Sequence, residues 1–395
     1  MSVLTVEPGL GGQRIRLAQL PPLSLYVHIP WCIRKCPYCD FNSHELKSDL
    51  AEDRYIDALI ADLEASLPHV WGRKVHTVFF GGGTPSLFSP EALDRFLSSA
   101  RALLPIEADA EITLEANPGT FETAKFAAFR ALGINRLSVG IQSFDPQRLQ
   151  AIGRVHDDRE AHRAVDIARE HFDNFNLDLM YALPGQGIDG ALADVDTAIA
   201  AGAPHISAYH LTIEPNTYFH RHTPVVPDDD VAAAMQSGIE MRLADAGYAN
   251  YETSAFAQPS RQAQHNVNYW QFGDYLGIGA GAHGKLSLRD RIFRQMRHKH
   301  PREYMERALA GNAVQTEADV TPAELPFEFM MNALRLREGF ELTTFTERTG
   351  LPLNAVVREL EEAERRGLLE RDHRRARPTE RGRRFLNDLL QVFLR

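Results

Sequence analysis

The stretch HIPWCIRKCPYCDFN, His28 to Asn42, holds Cys32, Cys36 and Cys39, the only cysteines in 395 residues. An odd trio in so tight a loop is no disulfide framework. The spacing is C-x3-C-x2-C, and three soft thiolates together select zinc, copper or an iron–sulfur cluster. Structural zinc sites almost always take four protein ligands, and the sequence offers neither a fourth cysteine nor an obvious partner spacing. A cubane held by three cysteines leaves one iron open to an outside ligand. The plainer reading is three cysteines acting as small buried hydrophobes. It sits poorly with Pro37, Arg34 and Lys35 beside them.

Upstream of the loop, Leu23 to Ile29 alternates as a strand does. Downstream, Ile56, Leu59, Ile60, Leu63 and Leu67 share one helical face, and Pro68 is expected to end that helix. Val75 to Phe80 is a short apolar run, as in a strand buried on both faces, and it stops at Gly81-Gly82-Gly83-Thr84-Pro85. Ser89-Pro90-Glu91 opens a helix. Strand-like segments at Glu111–Glu115, Arg136–Gln142, Asn176–Leu183 and His205–Leu211 then alternate with helices closing near Leu132, His171 and Ala201. Strands alternating with helices predict an α/β fold with a parallel sheet and right-handed crossovers. Eight units close a full barrel, so six predict an open, partial (βα)6 barrel.

Past the barrel come an acidic linker at Pro227–Asp230, a helix to about Ala246, the stretch HNVNYW (His265 to Trp270) and the small-residue run GIGAGAHG (Gly277 to Gly284). From about Pro301 the composition shifts to Arg, Glu and Leu. Helical patterns at 322–337 and 353–366 lead into a charged hairpin and a last helix, Arg383 to Leu394. The expected organisation is an N-terminal arm (1–22), a barrel with its extension (23–300) and a C-terminal helical, winged-helix-like domain (301–395). Hydrophobic content of 44% and charged content of 24% are those of a globular protein, and a net charge of −10 disfavours general nucleic-acid binding. Nine arginines between Arg365 and Arg384 are broken up by Glu370, Asp372 and Glu380, which reads as a solvated or partner-binding face. The N-terminus lacks a secretory pattern and no run reaches the length of a membrane span. With clustered free cysteines, this predicts the cytoplasm, with peripheral contact at the inner membrane left open.

In such sheets chemistry collects at the strand C-terminal ends. The cysteine loop, the triple glycine, Glu115, Gln142 and Asp178 all fall there in sequence. The glycine turn lacks the lysine of a P-loop. It reads either as a tight turn or as a place where backbone closely approaches a ligand.

With Tyr38 before the last cysteine, the loop resembles that of the radical S-adenosylmethionine superfamily. LYVHIPWC and CPYCDFNS resemble the branch around oxygen-independent coproporphyrinogen III oxidase, more narrowly its heme-chaperone subfamily, from about Leu23 to the C-terminus. The resemblance implies a [4Fe–4S] cluster on Cys32, Cys36 and Cys39 whose open iron chelates S-adenosylmethionine. It implies cofactor roles for Tyr26, Tyr38, Gly82, Gly83, Thr84, Glu115, Gln142, Arg154 and Asp178. It also implies heme as a further ligand. HNVNYW resembles a hallmark of the heme-chaperone subfamily, which implies heme contacts at His265, Asn266, Tyr269 and Trp270. Chemistry alone reads the same residues as a polar cap with two core aromatics, and His210 and His283 remain other candidate ligands. In the oxidase branch a further cysteine follows two residues on, where this chain has Phe41. The expectation is therefore a heme carrier, with radical decarboxylation of coproporphyrinogen III as the alternative. The expected partners are heme and acceptor hemoproteins, membrane-associated respiratory enzymes among them; a homodimer is left open, and no nucleic acid is expected.

Overall fold

Each barrel strand carries two kinds of side chain in strict alternation, and that alternation determines what the barrel encloses. In the computed structural model, which describes residues 14–47, 50–120 and 122–394, the parallel strands are β1 (Leu23–Ile29), β2 (Val75–Gly82), β3 (Ile106–Ala116), β4 (Arg136–Gln142), β5 (Phe175–Tyr181) and β6 (His205–His210). Leu25, Val27, Val78, Phe80, Leu114, Val139, Leu177 and Ile206 alternate outward and join the main core. Intervening positions, Thr77, Arg136, Ser138, Asn176, Asp178 and Ser207 among them, face inward and meet across strands. A period of two thus separates an apolar shell from a polar interior.

The helices that cover the apolar shell include α1 (Glu52–Val70), α2 (Pro90–Leu103), α3 (Thr123–Ala131), α4 (Asp158–His171), α5 (Ile188–Ala200) and α6 (Asp229–Asp245). Their starts follow the sequence. Ser89 caps α2 with Pro90 in its first turn, and Asp157 and Glu160 form a capping box on α4. The acidic linker proves to be a cap, with the Asp228 carboxylate accepting from Val231 N at 2.8 Å. Pro68 does not end α1, which runs two residues further.

Among the described residues the sheet has twelve strands, the six of the expected barrel side by side and six more at its edges. At one edge β6 is followed by the antiparallel pair β7 (Ala249–Glu252) and β8 (Ala255–Ala257). Between these and the other edge lies α7 (Gln264–Trp270), the HNVNYW helix. At the other edge β9 (Asp274–Ile278) pairs parallel with β1, and β10 (His283–Ser287), β11 (Ile292–Arg297) and β12 (Val314–Asp319) continue antiparallel. GIGAGAHG runs from the end of β9, through the turn at residues 279–282, into the start of β10.

A second core forms around α8 (Leu325–Ala333), where Phe329 meets Phe272, Phe340 and Phe345 edge-on. Three helical segments and a hairpin of Leu369–Arg371 with Arg375–Pro378 surround it. The last helix is split at Phe385 into Glu380–Arg384 and Leu386–Gln391. Residues 1–13 of the expected arm lie outside the described residues. Its described part is not loose: Ile15 and Leu17 are buried in the second core, and Leu17 N donates to Arg289 O at 2.8 Å. No helix among the described residues is long and apolar enough to cross a membrane.

Candidate functional site: the rim and floor of the barrel

The rim is built first by backbone. Thr84 N donates to Trp31 O and Gly83 N to Ile29 O, both at 2.7 Å, so the glycine turn is laced to the base of the cysteine loop. Gly82 has φ +111°, and a Cβ there would strike the His28 ring; one at Gly83 would lie 2.5 Å from Trp31 O. These glycines are therefore required by the fold itself, whatever ligand approaches them.

Cys32, Cys36 and Cys39 are free and half-buried, and line a cavity of about 160 Å³. Burial pushes the Cys32 and Cys39 thiols up, opposed by hydrogen bonds from Thr84 and Ser43 respectively. Among the described residues no three His, Cys, Asp or Glu side chains close on a single-ion site; the thiols form a wall. Eight of the nine cofactor candidates stand around the same cavity: Tyr38, Gly82, Gly83, Thr84, Glu115, Gln142, Arg154 and Asp178. Tyr26 does not, and faces the neighbouring cavity.

The rim's electrostatics are those of a site waiting for charge. The Glu115 carboxylate accepts from Gly82 N at 3.0 Å, yet burial and then Asp178 repulsion raise its pKa to about 8. Burial likewise raises Asp178, although Asn176 and Ser138 donate to it. Two carboxylates so held favour a cationic neighbour. Arg154 donates to Asn117 Oδ1 at 2.6 Å, to Gly140 O at 2.7 Å and to Cys36 Sγ at 3.5 Å, and its Nε is buried without a partner. Gln142 ends β4 in the left-handed region at φ 70°, a strained position for a non-glycine residue. Free thiols, an underused guanidinium and uncompensated carboxylates fit a thiolate-held cluster with an amino-acid ligand beside it. Cys32, Cys36 and Cys39 would hold the cluster and the residues around them its ligand, and the pair would supply one-electron chemistry at this rim.

Beneath the rim lies a larger cavity of about 450 Å³, walled by Tyr26, Phe79, Met180, Tyr209, His265, Asn266 and Tyr269, with Arg136 at its floor. Glu115 and Asp178 border this cavity too, but its two buried histidines are already matched. His265 bonds Thr77 Oγ1 through Nδ1 at 2.8 Å and the Tyr269 hydroxyl through Nε2 at 2.9 Å, and burial lowers its pKa to about 3. His205 is engaged on both nitrogens by Asn176 and Tyr251. The HNVNYW motif is thus split. His265, Asn266 and Tyr269 line the cavity, whereas Trp270 lies against the Arg335 guanidinium, 4.4 Å from its ring centroid, facing the C-terminal helices. His210 also lines this cavity, and its ring packs on Tyr181. Asn117, Ser138, Asn176 and His205 escaped the sequence reading. Inward parity along β4, β5 and β6 was the available signal for the last three.

An open parallel barrel with three free cysteines on the loop after its first strand defines a radical S-adenosylmethionine protein, and the Radical SAM superfamily model matches residues 26–198. The HemN C-terminal domain model matches residues 320–385. Over 380 residues the chain is 47% identical to a protein of Escherichia coli named heme chaperone HemW, covering 96% of this chain and all of that one. It is 36% identical over 394 residues to a Mycobacterium tuberculosis protein of the same name, covering 96% of this chain and 97% of that one. The chain belongs to the HemW family. In fold it is similar to the Escherichia coli coproporphyrinogen III oxidase HemN, with a TM-score of 0.81 and 23% identity over 95% of this chain and 90% of that one.

Proposed function

We propose that this protein is a heme chaperone that binds heme and passes it to acceptor hemoproteins, with a [4Fe–4S] cluster and S-adenosylmethionine held at the rim. The observation that carries the reading is family membership over nearly the whole chain, with Phe41, 61% exposed, where the oxidase branch has a cysteine. In this reading Cys32, Cys36 and Cys39 hold the cluster. Glu115 and Asp178 meet the ligand's ammonium and ribose, Arg154 its carboxylate, Tyr38 its adenine, and Gly82, Gly83, Thr84 and Gln142 shape the bed. Heme occupies the larger cavity beside Tyr26, where aromatic walls offer apolar area and Arg136 offers a partner for a carboxylate. A neutral His265 is a competent iron ligand once its bond to Tyr269 opens.

The division of the chain into barrel and C-terminal domain, action in the cytoplasm, contact with membrane-associated respiratory acceptors and any homodimer belong to the same proposal. Its test is a heme titration followed by the Soret band. His265→Ala with Tyr269→Phe should weaken binding, while Trp270→Phe, outside the cavity, should leave it unchanged. Equal loss in both variants would remove the cavity from the reading.

A further inference from the structure

The cysteine loop ends at Asn42, whose side chain reaches far across the sequence. Its amide donates to Ala280 O and to Lys299 O, each at 2.9 Å, so both amide hydrogens are used. Its backbone carbonyl is bonded to His28 Nε2 at 3.0 Å. A carbonyl only accepts, so Nε2 carries the proton and Nδ1 is left to accept from the Tyr26 hydroxyl at 2.9 Å. Tyr26 in turn is part of the larger cavity's wall. On the far side Gly281 has φ +77°, and any Cβ there would collide with the Asn42 amide.

We infer that Asn42 is a positioning residue for the cluster: it hooks the exit of the cysteine loop to the turn at Ala280 and the strand end at Lys299, and through His28 ties that loop to the cavity wall. The inference rests on the reading that the three cysteines hold a cluster. Lys35 also bonds carbonyls of the loop, Phe41 O and Ser43 O, but from within it, and so shapes the loop without anchoring it. Besides Asn42, Phe219 N donates to Pro37 O at 3.0 Å and Arg154 to Cys36 Sγ at 3.5 Å. His44 N to Pro30 O at 2.6 Å and Leu46 N to Cys32 O at 2.9 Å close the loop's exit on its own entry; Asn42 carries that exit across to Ala280 and Lys299. Groups that orient metal ligands change metal affinity about 10- to 100-fold when removed, and Asn42, which bonds no sulfur, would act through the backbone of the loop.

The test uses the full chain, reconstituted anaerobically, in wild type, Asn42→Ala and Gly281→Ala. The second variant attacks the hook from the opposite side without touching the loop. Cluster loss to a chelator is followed by absorbance, the reduced cluster by EPR with and without S-adenosylmethionine, and the cluster-free proteins by thermal melting. Both variants should release the cluster about 10- to 100-fold faster, while cluster-free melting stays within about 4 °C of wild type. Release at the wild-type rate from a wild type that does hold a cluster overturns the role of Asn42. So does a fall in cluster-free melting large enough to account for the faster loss. A wild type that assembles no cluster overturns the cysteine reading itself, and the inference with it.

Discussion

The rim and the floor of the barrel share Glu115 and Asp178 on their common border but differ in how completely their other polar groups are bonded. At the rim, three thiols are in no disulfide, the Arg154 Nε is buried without a partner, and burial with Asp178 repulsion raises the Glu115 pKa to about 8. At the floor, His265 and His205 are satisfied on both nitrogens. A polar cluster that completes its own bonds supports the fold before any ligand arrives; one left incomplete gains its missing partners only with a ligand. The difference predicts that rim substitutions change what the protein holds with little effect on folding, whereas floor substitutions change how firmly it is folded as well as how it binds heme.

The largest contrast lies in the cysteines. Cys32→Ala, Cys36→Ala or Cys39→Ala should abolish the cluster, read as iron and sulfide content. Because the thiols are only half-buried, the cluster-free variants should melt within about 1 kcal/mol of wild type. Bound zinc without sulfide would break the assignment.

At the floor, His265→Ala leaves the Tyr269 hydroxyl unpaired and opens a hole against Phe79, whose ring lies 5.0 Å away. A loss of about 2–4 kcal/mol is expected in denaturant unfolding of the cluster-free protein. A loss near zero would mean that the floor is as unfinished as the rim.

The two regions should also part company with pH. Glu115 has its folded pKa raised from 4.5 to about 8, so between those values the folded state binds the extra proton and stability falls as pH rises. His265 has its folded pKa lowered from 6.5 to about 3, so in that window the unfolded state binds the extra proton and stability falls as pH falls. Glu115→Gln should flatten the decline above pH 5 and leave the acid limb in place. Loss of the acid limb in that variant would contradict the assignment.

Smallest is Trp270→Phe. Its indole N–H has no partner and its ring stacks under Arg335, so about 0.5–1 kcal/mol of cation–π attraction is at stake. A larger loss would mean that the contact with the C-terminal helices carries more of the fold than its chemistry suggests.

Much of the rim was legible because its signals are local. Three cysteines, a glycine turn and strand-end carboxylates each announce themselves within a few residues, and strands such as Leu23–Ile29 and Arg136–Gln142 fall where alternation places them. The floor was not, because its completeness is a property of pairs distant in sequence, such as Thr77 with His265. The edge strands β9 and β10 were hidden for another reason. Gly277 lies where neighbouring backbone leaves no room for a Cβ, and at Gly284 the fit is tight, so small residues stand where a strand pattern would otherwise show. Pro68 misled because a proline in the last turn forfeits a single backbone bond, which burial of Val70 in the main core outweighs.

The central claim is that the barrel carries heme and is not a porphyrinogen decarboxylase. One anaerobic experiment on the reconstituted full chain addresses it, with heme titrated into one portion and coproporphyrinogen III, S-adenosylmethionine and a reductant supplied to another. The account predicts saturable heme binding with a shifted Soret band, and no protoporphyrinogen IX above the background of the Cys36→Ala variant. Cluster-dependent formation of protoporphyrinogen IX, or a wild type that leaves the heme spectrum unchanged, would contradict it.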